Sequence, residues 1–271
     1  MIRGFIGVIH LPAMPGDPKA DRETRFDEVL DFALADGRAL LEGGVDAVVV
    51  ENFGSSPFAK GDTGSRLPPH QVALMTRVVD VMVRESAKPV GVNCLRNDAY
   101  SALGIAAATG ARFVRVNVHT GAYVTDQGLI EGESHHTLRY RRELGAEHVA
   151  ILADVLVKHA EPLVPVDPVT ATEDTVKRGL ADGVIVTGSA TGKPVDEALV
   201  REVANAAGAA SVLVGSGLTV DNCAKLAPWV DGAIVGTALK RDGQLFAPVD
   251  PQRVRAMADL LSQHLREPTS S

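Results

Sequence analysis

The sequence predicts a (β/α)8 barrel, and three patterns predict it. Short β-branched runs alternate with stretches of helical apolar spacing along the whole chain. The helical stretches close on glycine just before the next run. Polar residues collect where the runs end.

Eight strands are expected, at 5–11 (FIGVIHL), 46–52 (DAVVVEN), 89–95 (PVGVNCL), 112–119 (RFVRVNVH), 149–159 (VAILADVLVKH), 183–188 (GVIVTG), 211–217 (SVLVGSG) and 232–239 (GAIVGTAL). RFDEVLDFALADGRALLEGG precedes the second, HQVALMTRVVDVMVRES the third and AYSALGIAAATG the fourth, each with apolar residues at helical spacing. Gly43-Gly44, Gly110, Gly145, Gly179 and Gly208 stand where left-handed helix caps belong. Val45-Asp46-Ala47, Ala181-Asp182-Gly183 and Val230-Asp231-Gly232 repeat one helix-to-strand turn. Strand alternating with helix implies parallel pairing through right-handed crossovers. An open doubly wound sheet is the alternative, but its G-x-G-x-x-G after the first strand is absent. No linker divides the chain, so residues 1–266 read as one barrel domain and 267–271 (EPTSS) as a disordered tail.

Composition bounds the function. The 271 residues match the size of one α/β barrel. With 45% hydrophobic and only 4% aromatic residues, the core must be aliphatic. A net charge of -7 argues against nucleic acid as a partner, because a phosphate backbone attracts a basic surface. No apolar run is long enough to span a membrane. Pro12 and Pro15 interrupt the opening MIRGFIGVIHLPAMP, so no secretory leader is expected. Cys94 and Cys223 are isolated and read as small buried hydrophobes, consistent with a cytoplasmic protein. Whether identical chains associate is left open.

Barrel active sites lie at the C-terminal strand ends. Here those ends carry Glu51 and Asn52, then Asn93, Arg96, Asn97 and Asp98, then Asp154, Lys158 and His159, then Thr187 and Ser189. The fourth strand alternates Arg115, Asn117 and His119 with Val114, Val116 and Val118. Period two sends the valines to the helices and the polar three into the barrel. Arg115 lies deepest, and an ion pair with Asp154 or Glu51 is its structural explanation. Gly215-Ser216-Gly217 and Gly236-Thr237 follow the last two strands, where barrels often hold phosphate on backbone amides and a short helix end. VIVTGSATGKP (184–194) resembles a nucleotide-triphosphate loop but fails the count. It is one residue short, and Pro194 follows Lys193 where a hydroxyl is required. It reads instead as the loop after the sixth strand, with Lys193 beside an anion or in solvent.

IHLPAMPG, GGVDAVVVENFG, GVNCLRND, FVRVNVHTGAYVTDQGLIEG, ILADVLVKHA, VIVTGSATG, VLVGSGLT and DGAIVGTALK, in order from residue 9 to 240, resemble the BtpA family. The resemblance implies a barrel of the ribulose-phosphate-binding type. The family's namesake is a cyanobacterial protein needed for photosystem I to accumulate, yet relatives occur in non-photosynthetic bacteria and archaea, which implies a wider metabolic role. It points to the same strand-end residues, and adds Asp126 and Gln127 in the long loop GAYVTDQGLIEG, which reads as a lid.

The expected function is therefore an enzyme acting on a small phosphorylated metabolite, a sugar phosphate or nucleotide-like compound, by isomerisation, lyase chemistry or glycosidic-bond cleavage. Glu51 and Asp154 are the acid–base candidates, and His119 a proton shuttle or electrophile. Lys158 would stabilise an enolate or form a Schiff base, unless it pairs with Asp154. Asn93, Arg96, Asn97, Arg115, Asn117, Asp126, Thr187 and Ser189 would bind substrate; Gly215, Ser216, Gly217, Gly236 and Thr237 would bind phosphate. No cofactor is expected; a divalent metal on Glu51, His119 and Asp154 is open, although no metal-spacing motif supports it. The alternative is a non-catalytic assembly factor of the BtpA type.

Overall fold

The structure, a computed structural model, describes residues 1–188 and 195–266. The elements follow the chain as β1 (Gly4–His10), α1 (Phe26–Gly43), β2 (Ala47–Glu51), α2 (Pro69–Glu85), β3 (Val90–Asn93), α3 (Ala99–Thr109), β4 (Phe113–Val116), β5 (Ala122–Thr125), β6 (Gly128–Glu131), α4 (Ser134–Glu143), β7 (Ala150–Val155), β8 (Ala160–Pro162), α5 (Pro168–Glu173), β9 (Gly183–Val186), α6 (Glu197–Ala206), β10 (Ser211–Val214), α7 (Cys223–Leu226), β11 (Gly232–Val235) and α8 (Pro251–His264). Eight of the strands close a parallel barrel in the order β1-β11-β10-β9-β7-β4-β3-β2.

The thrice-used helix-to-strand turn has a physical reason. The side chains of Asp46, Asp182 and Asp231 accept from the backbone N–H of Phe5, Ile151 and Val212 at 2.9, 2.8 and 2.9 Å. Their own N–H groups donate back to the carbonyls of those same residues. Each aspartate thus ties the start of its strand to the neighbouring one, at the end of the barrel opposite the polar mouth. A short acceptor is required at that point, which explains the repeated motif.

Two aliphatic cores result. Ile6, Val8, Ala47, Val49, Phe113, Leu152, Ile185, Leu213 and Ile234 fill the barrel. The opposite strand faces pack on the helices, with Val48, Val50, Val114 and Val116 against residues such as Leu40, Met75 and Leu103. Small residues make room for large ones: a Cβ on Gly91 would lie 2.2 Å from the Phe113 ring.

Several expected boundaries shorten. The 112–119 run stops pairing at Val116, and the 232–239 run at Val235, where a 3-10 turn over Thr237–Leu239 takes over. The 149–159 run ends at Val155. The chain then bends through Leu156 and His159, both at positive φ, before forming β8. The expected lid loop is a hairpin: β5 pairs antiparallel with both β6 and β8, and Tyr123, Ile130, Val118 and Val157 form a small core beneath it. The 267–271 tail lies outside the described residues. Among the described residues no helix is long and apolar enough to cross a membrane.

Candidate active site

The barrel filling changes character along its axis. Period two carries Ile6 and Val8 on to His10, Ala47 and Val49 to Glu51, Gly91 to Asn93, Phe113 to Arg115, and Leu152 to Asp154. His10, Glu51 and Asn93 are register partners on adjacent strands, so they stand at one height. A ring of polar groups therefore caps the aliphatic interior at the C-terminal mouth.

Arg115 organises that ring. Its Nε donates to Asp154 Oδ1 and its Nη2 to Asp154 Oδ2, both at 3.0 Å. Asn117 Nδ2 donates to the same Oδ2 at 2.9 Å. Burial opposes the Arg115 charge, but Asp154 and then Glu51 outweigh it and hold the guanidinium above its ordinary value. Glu51 sits 3.8 Å from Arg115 Nη1, and its Oε2 accepts from Asn93 Nδ2 at 2.6 Å.

Two cavities open above this ring. The first, about 240 Å³, is walled by Gly215, Ser216, Gly217, Thr219, Gly236 and Thr237, together with His10. The second, about 350 Å³, is walled by Phe53, Phe58, Leu95, Arg96, Asn117, Asp126 and His159. Glu51, Phe53, Arg115 and Lys158 line both. Asn222 braces the first wall: it accepts from Thr219 N–H at 2.8 Å and donates to the Gly217 carbonyl at 2.7 Å. Ser216 Oγ is buried there without a partner among the described residues.

Lys158 is held by its backbone, leaving its amine for the mouth. Its N–H donates to Thr187 Oγ1 at 3.2 Å, and its carbonyl accepts from Arg96 Nη2 at 2.8 Å. The ion pair with Asp154, the structural alternative for Lys158, does not form, because Arg115 and Asn117 occupy that carboxylate. Burial, then the nearby Arg115 charge, lowers the Lys158 pKa from its ordinary value. The flanking positive φ angles at Leu156 and His159 are conformations that side-chain-bearing residues rarely adopt.

His10 belongs to the site, although the strand-end reading passed over it. Burial first, then Lys240, Lys158 and Arg115, push its pKa down to about 3. Its Nε2 lies 3.9 Å from Glu51 Oε1, a contact between a neutral ring and a carboxylate rather than an ion pair. Nδ1 is buried without a partner among the described residues. The continued alternation Ile6, Val8, His10 was the available signal.

Other expected site residues stand elsewhere. Asp154 has a fully buried side chain with both oxygens engaged, so it positions Arg115 and does not face the cavities. His119 leaves the barrel interior because β4 has ended; its Nε2 bonds the Gly179 carbonyl at 2.8 Å. Glu51, His119 and Asp154 therefore do not converge on a metal, and among the described residues no three His, Cys, Asp or Glu do. Asn97 clamps Val118 at both backbone groups. Asp98 caps α3 through Ser101 N–H and holds Leu67 N–H. Thr187 serves the Lys158 backbone and lines an adjoining groove with Asp126. Lys240, after the last glycine turn, is fully buried and paired with Asp36 of α1. The glycine wall is made of turns: no helix longer than four residues follows β10 before β11. Gln127 bonds Asp126 and Thr125 at the hairpin tip. Ser189 and Lys193 lie outside the described residues.

Comparison with known proteins agrees with this architecture. The model of the BtpA family matches residues 1–263. The photosystem I biogenesis protein BtpA of Synechocystis sp. is 46% identical over 265 residues, covering 98% of this chain and 90% of that one. Among solved structures, KGPDC from Streptococcus mutans superposes with a TM-score of 0.59 at 12% identity, over 97% of this chain and 99% of that one. N-(5'-phosphoribosyl)anthranilate isomerase from Pyrococcus furiosus does so with a TM-score of 0.56 at 14% identity, over 96% and 99%. At these identities the structural likeness is one of fold.

Proposed function

The chain belongs to the BtpA family, and we propose that it is a barrel enzyme that binds a small phosphorylated metabolite and moves a proton on it with Glu51. The observation that carries this reading is one shared cavity wall. Glu51 and Lys158 face the same space as the glycine turns after β10 and β11.

The residues divide the work. The turns at Gly215–Gly217 and Gly236–Thr237 bring backbone close to an anion, and the unpartnered Ser216 hydroxyl adds a donor. With Asp154 committed to Arg115, Glu51 is the carboxylate that lines both cavities. Asn93 fixes its orientation, and neutral His10 stands beside it without neutralising it. Glu51 takes or returns a proton at the reacting carbon or oxygen. Lys158, with a lowered pKa, stabilises the oxyanion that forms. Isomerisation, lyase chemistry and glycosidic-bond cleavage all use that step. The strained turn around Lys158 supports a functional role for it. Phosphorylated metabolites set the reading in the cytoplasm.

The test is binding followed by turnover. Inorganic phosphate and ribose 5-phosphate are expected to raise the melting temperature, as any ligand of the folded state does. Gly236→Ala is expected to abolish the shift. Equal shifts for ribose and ribose 5-phosphate would argue against a phosphate site.

A second reading, a non-catalytic assembly factor, is favoured by the name of the Synechocystis relative. It expects Glu51→Gln to support normal growth in cells lacking the native copy; the enzymatic reading expects that variant to behave as a deletion.

A further inference from the structure

Resting on the phosphate-site reading, we propose that the substrate is bipartite: a sugar phosphate bearing a flat heterocyclic ring, as in a nucleoside monophosphate, with the ring seated in the second cavity.

The second cavity has the chemistry of a ring site. Phe53 and Phe58 stand 6.3 Å apart at 70° and, with Leu95, give it an apolar wall. Arg96 and Asn117 give it a polar edge. A heterocyclic base has the same division, with apolar faces and donors and acceptors on its rim.

The polar edge also carries two unanswered groups of opposite kind. Arg96 is only 6% exposed and its Nε–H has no partner among the described residues, although Nη2 is held by the Lys158 carbonyl. Asn117 is only 3% exposed and its Oδ1 has no partner among the described residues. The amide orientation follows from its neighbour: Nδ2 must face the Asp154 carboxylate, which leaves Oδ1 as the free end. Buried polar groups are ordinarily satisfied, so an unanswered donor and an unanswered acceptor on two residues that line one cavity call for a ligand offering an acceptor and a donor. The carbonyl and adjacent N–H of a pyrimidine, or the amine and ring nitrogen of a purine, offer that pair.

The two cavities meet over Glu51, Arg115 and Lys158. With phosphate on the glycine turns and the ring against Phe58, the sugar and its bond to the ring would span the reactive pair. At about 240 Å³ the first cavity alone falls below the roughly 300–1,000 Å³ of small-molecule sites, whereas the joined space lies within that range.

Calorimetric titration of the full chain with ribose 5-phosphate, UMP, AMP and uridine tests this. At least one nucleotide should bind about tenfold or more tightly than ribose 5-phosphate. Phe58→Ala should remove that advantage and leave ribose 5-phosphate affinity within about twofold; Arg96→Met, which also releases the Lys158 carbonyl, should remove the advantage too, with circular dichroism checking the fold of both variants. Equal affinity for ribose 5-phosphate and both nucleotides overturns the ring subsite while leaving the phosphate site standing. Uridine binding as tightly as UMP, and lost in both variants, supports the ring subsite and overturns the phosphate site instead. Binding of none of the four overturns both.

Discussion

Arg115 grips Asp154 with two parallel hydrogen bonds of 3.0 Å, inside the barrel, with neither side chain more than 6% exposed. The pair turns one of the two strand-end carboxylates inside the barrel into scaffold and leaves the other, Glu51, facing both cavities. Removing the charge on one side strands the other. Asp154→Asn should therefore cost about 3–5 kcal/mol of stability by urea denaturation. A double replacement, Arg115→Met with Asp154→Leu, should recover much of that loss. A single variant as stable as the parent would contradict the pairing.

Glu51→Gln keeps the size of the side chain and an acceptor for Asn93, but cannot exchange a proton at neutral pH. Against a turnover substrate found by screening sugar phosphates and nucleotides, kcat should fall by about 10²–10⁴. Ligand affinity should change little. A large loss of affinity with unchanged kcat would make Glu51 a binding group only.

His10 carries a pH signature. Its pKa is about 3 in the folded protein, against an ordinary 6.5. Above pH 6.5 both states are neutral and nothing is gained or lost. Between pH 6.5 and 3 the unfolded chain takes up a proton that the folded ring refuses, so stability falls as pH falls, by up to about 1.4 kcal/mol per pH unit. Urea midpoints at pH 7 and pH 5 should show the parent losing about 2 kcal/mol more than His10→Gln. Parallel pH profiles would show that the ring is protonated in place.

Gly236 lies against that same ring. A Cβ there would fall 2.4 Å from His10 Cε1 and 3.0 Å from Nε2. Gly236→Ala must displace His10 or the turn, so phosphate-ligand affinity should drop about tenfold or more, with a stability cost of about 1–3 kcal/mol. Tight ligand binding by this variant would mean that the turn is not part of the anion wall.

His119→Ala separates a structural histidine from a catalytic one. Loss of its bond to the Gly179 carbonyl should lower stability by about 1 kcal/mol or more. Ligand titration should give the parent affinity, since the ring lies outside both cavities.

Much of the fold was legible because it depends on local periodicities. A short continuous β-branched run marks a barrel strand because both its faces are buried, and Asp46, Asp182 and Asp231 repeat because one turn geometry needs one short acceptor. Glu51, Asn93, Arg115 and Asn117 were legible for the same reason: a polar residue in phase with buried valines has nowhere to point but inward. His119 was misread because the phase holds only while the strand lasts, and β4 stops at Val116. The hairpin at residues 122–131 was masked by glycine and polar residues, since its pairing with Ala160–Pro162 joins segments far apart in the chain.

The sequence by itself determined a closed ring of parallel strands, an aliphatic filling and a polar rim bordered by two glycine turns. Tertiary structure alone decided which rim residues face the cavities and which support them. Asp154 and Glu51 look alike in one dimension, and so do Lys158 and Lys240. What separates them is which opposite charge reaches each first: Arg115 takes Asp154 and Asp36 takes Lys240, leaving Glu51 and Lys158 facing the same cavity. That choice is made by distances across the barrel, and Coulomb attraction in a dry interior depends on those distances rather than on position along the chain.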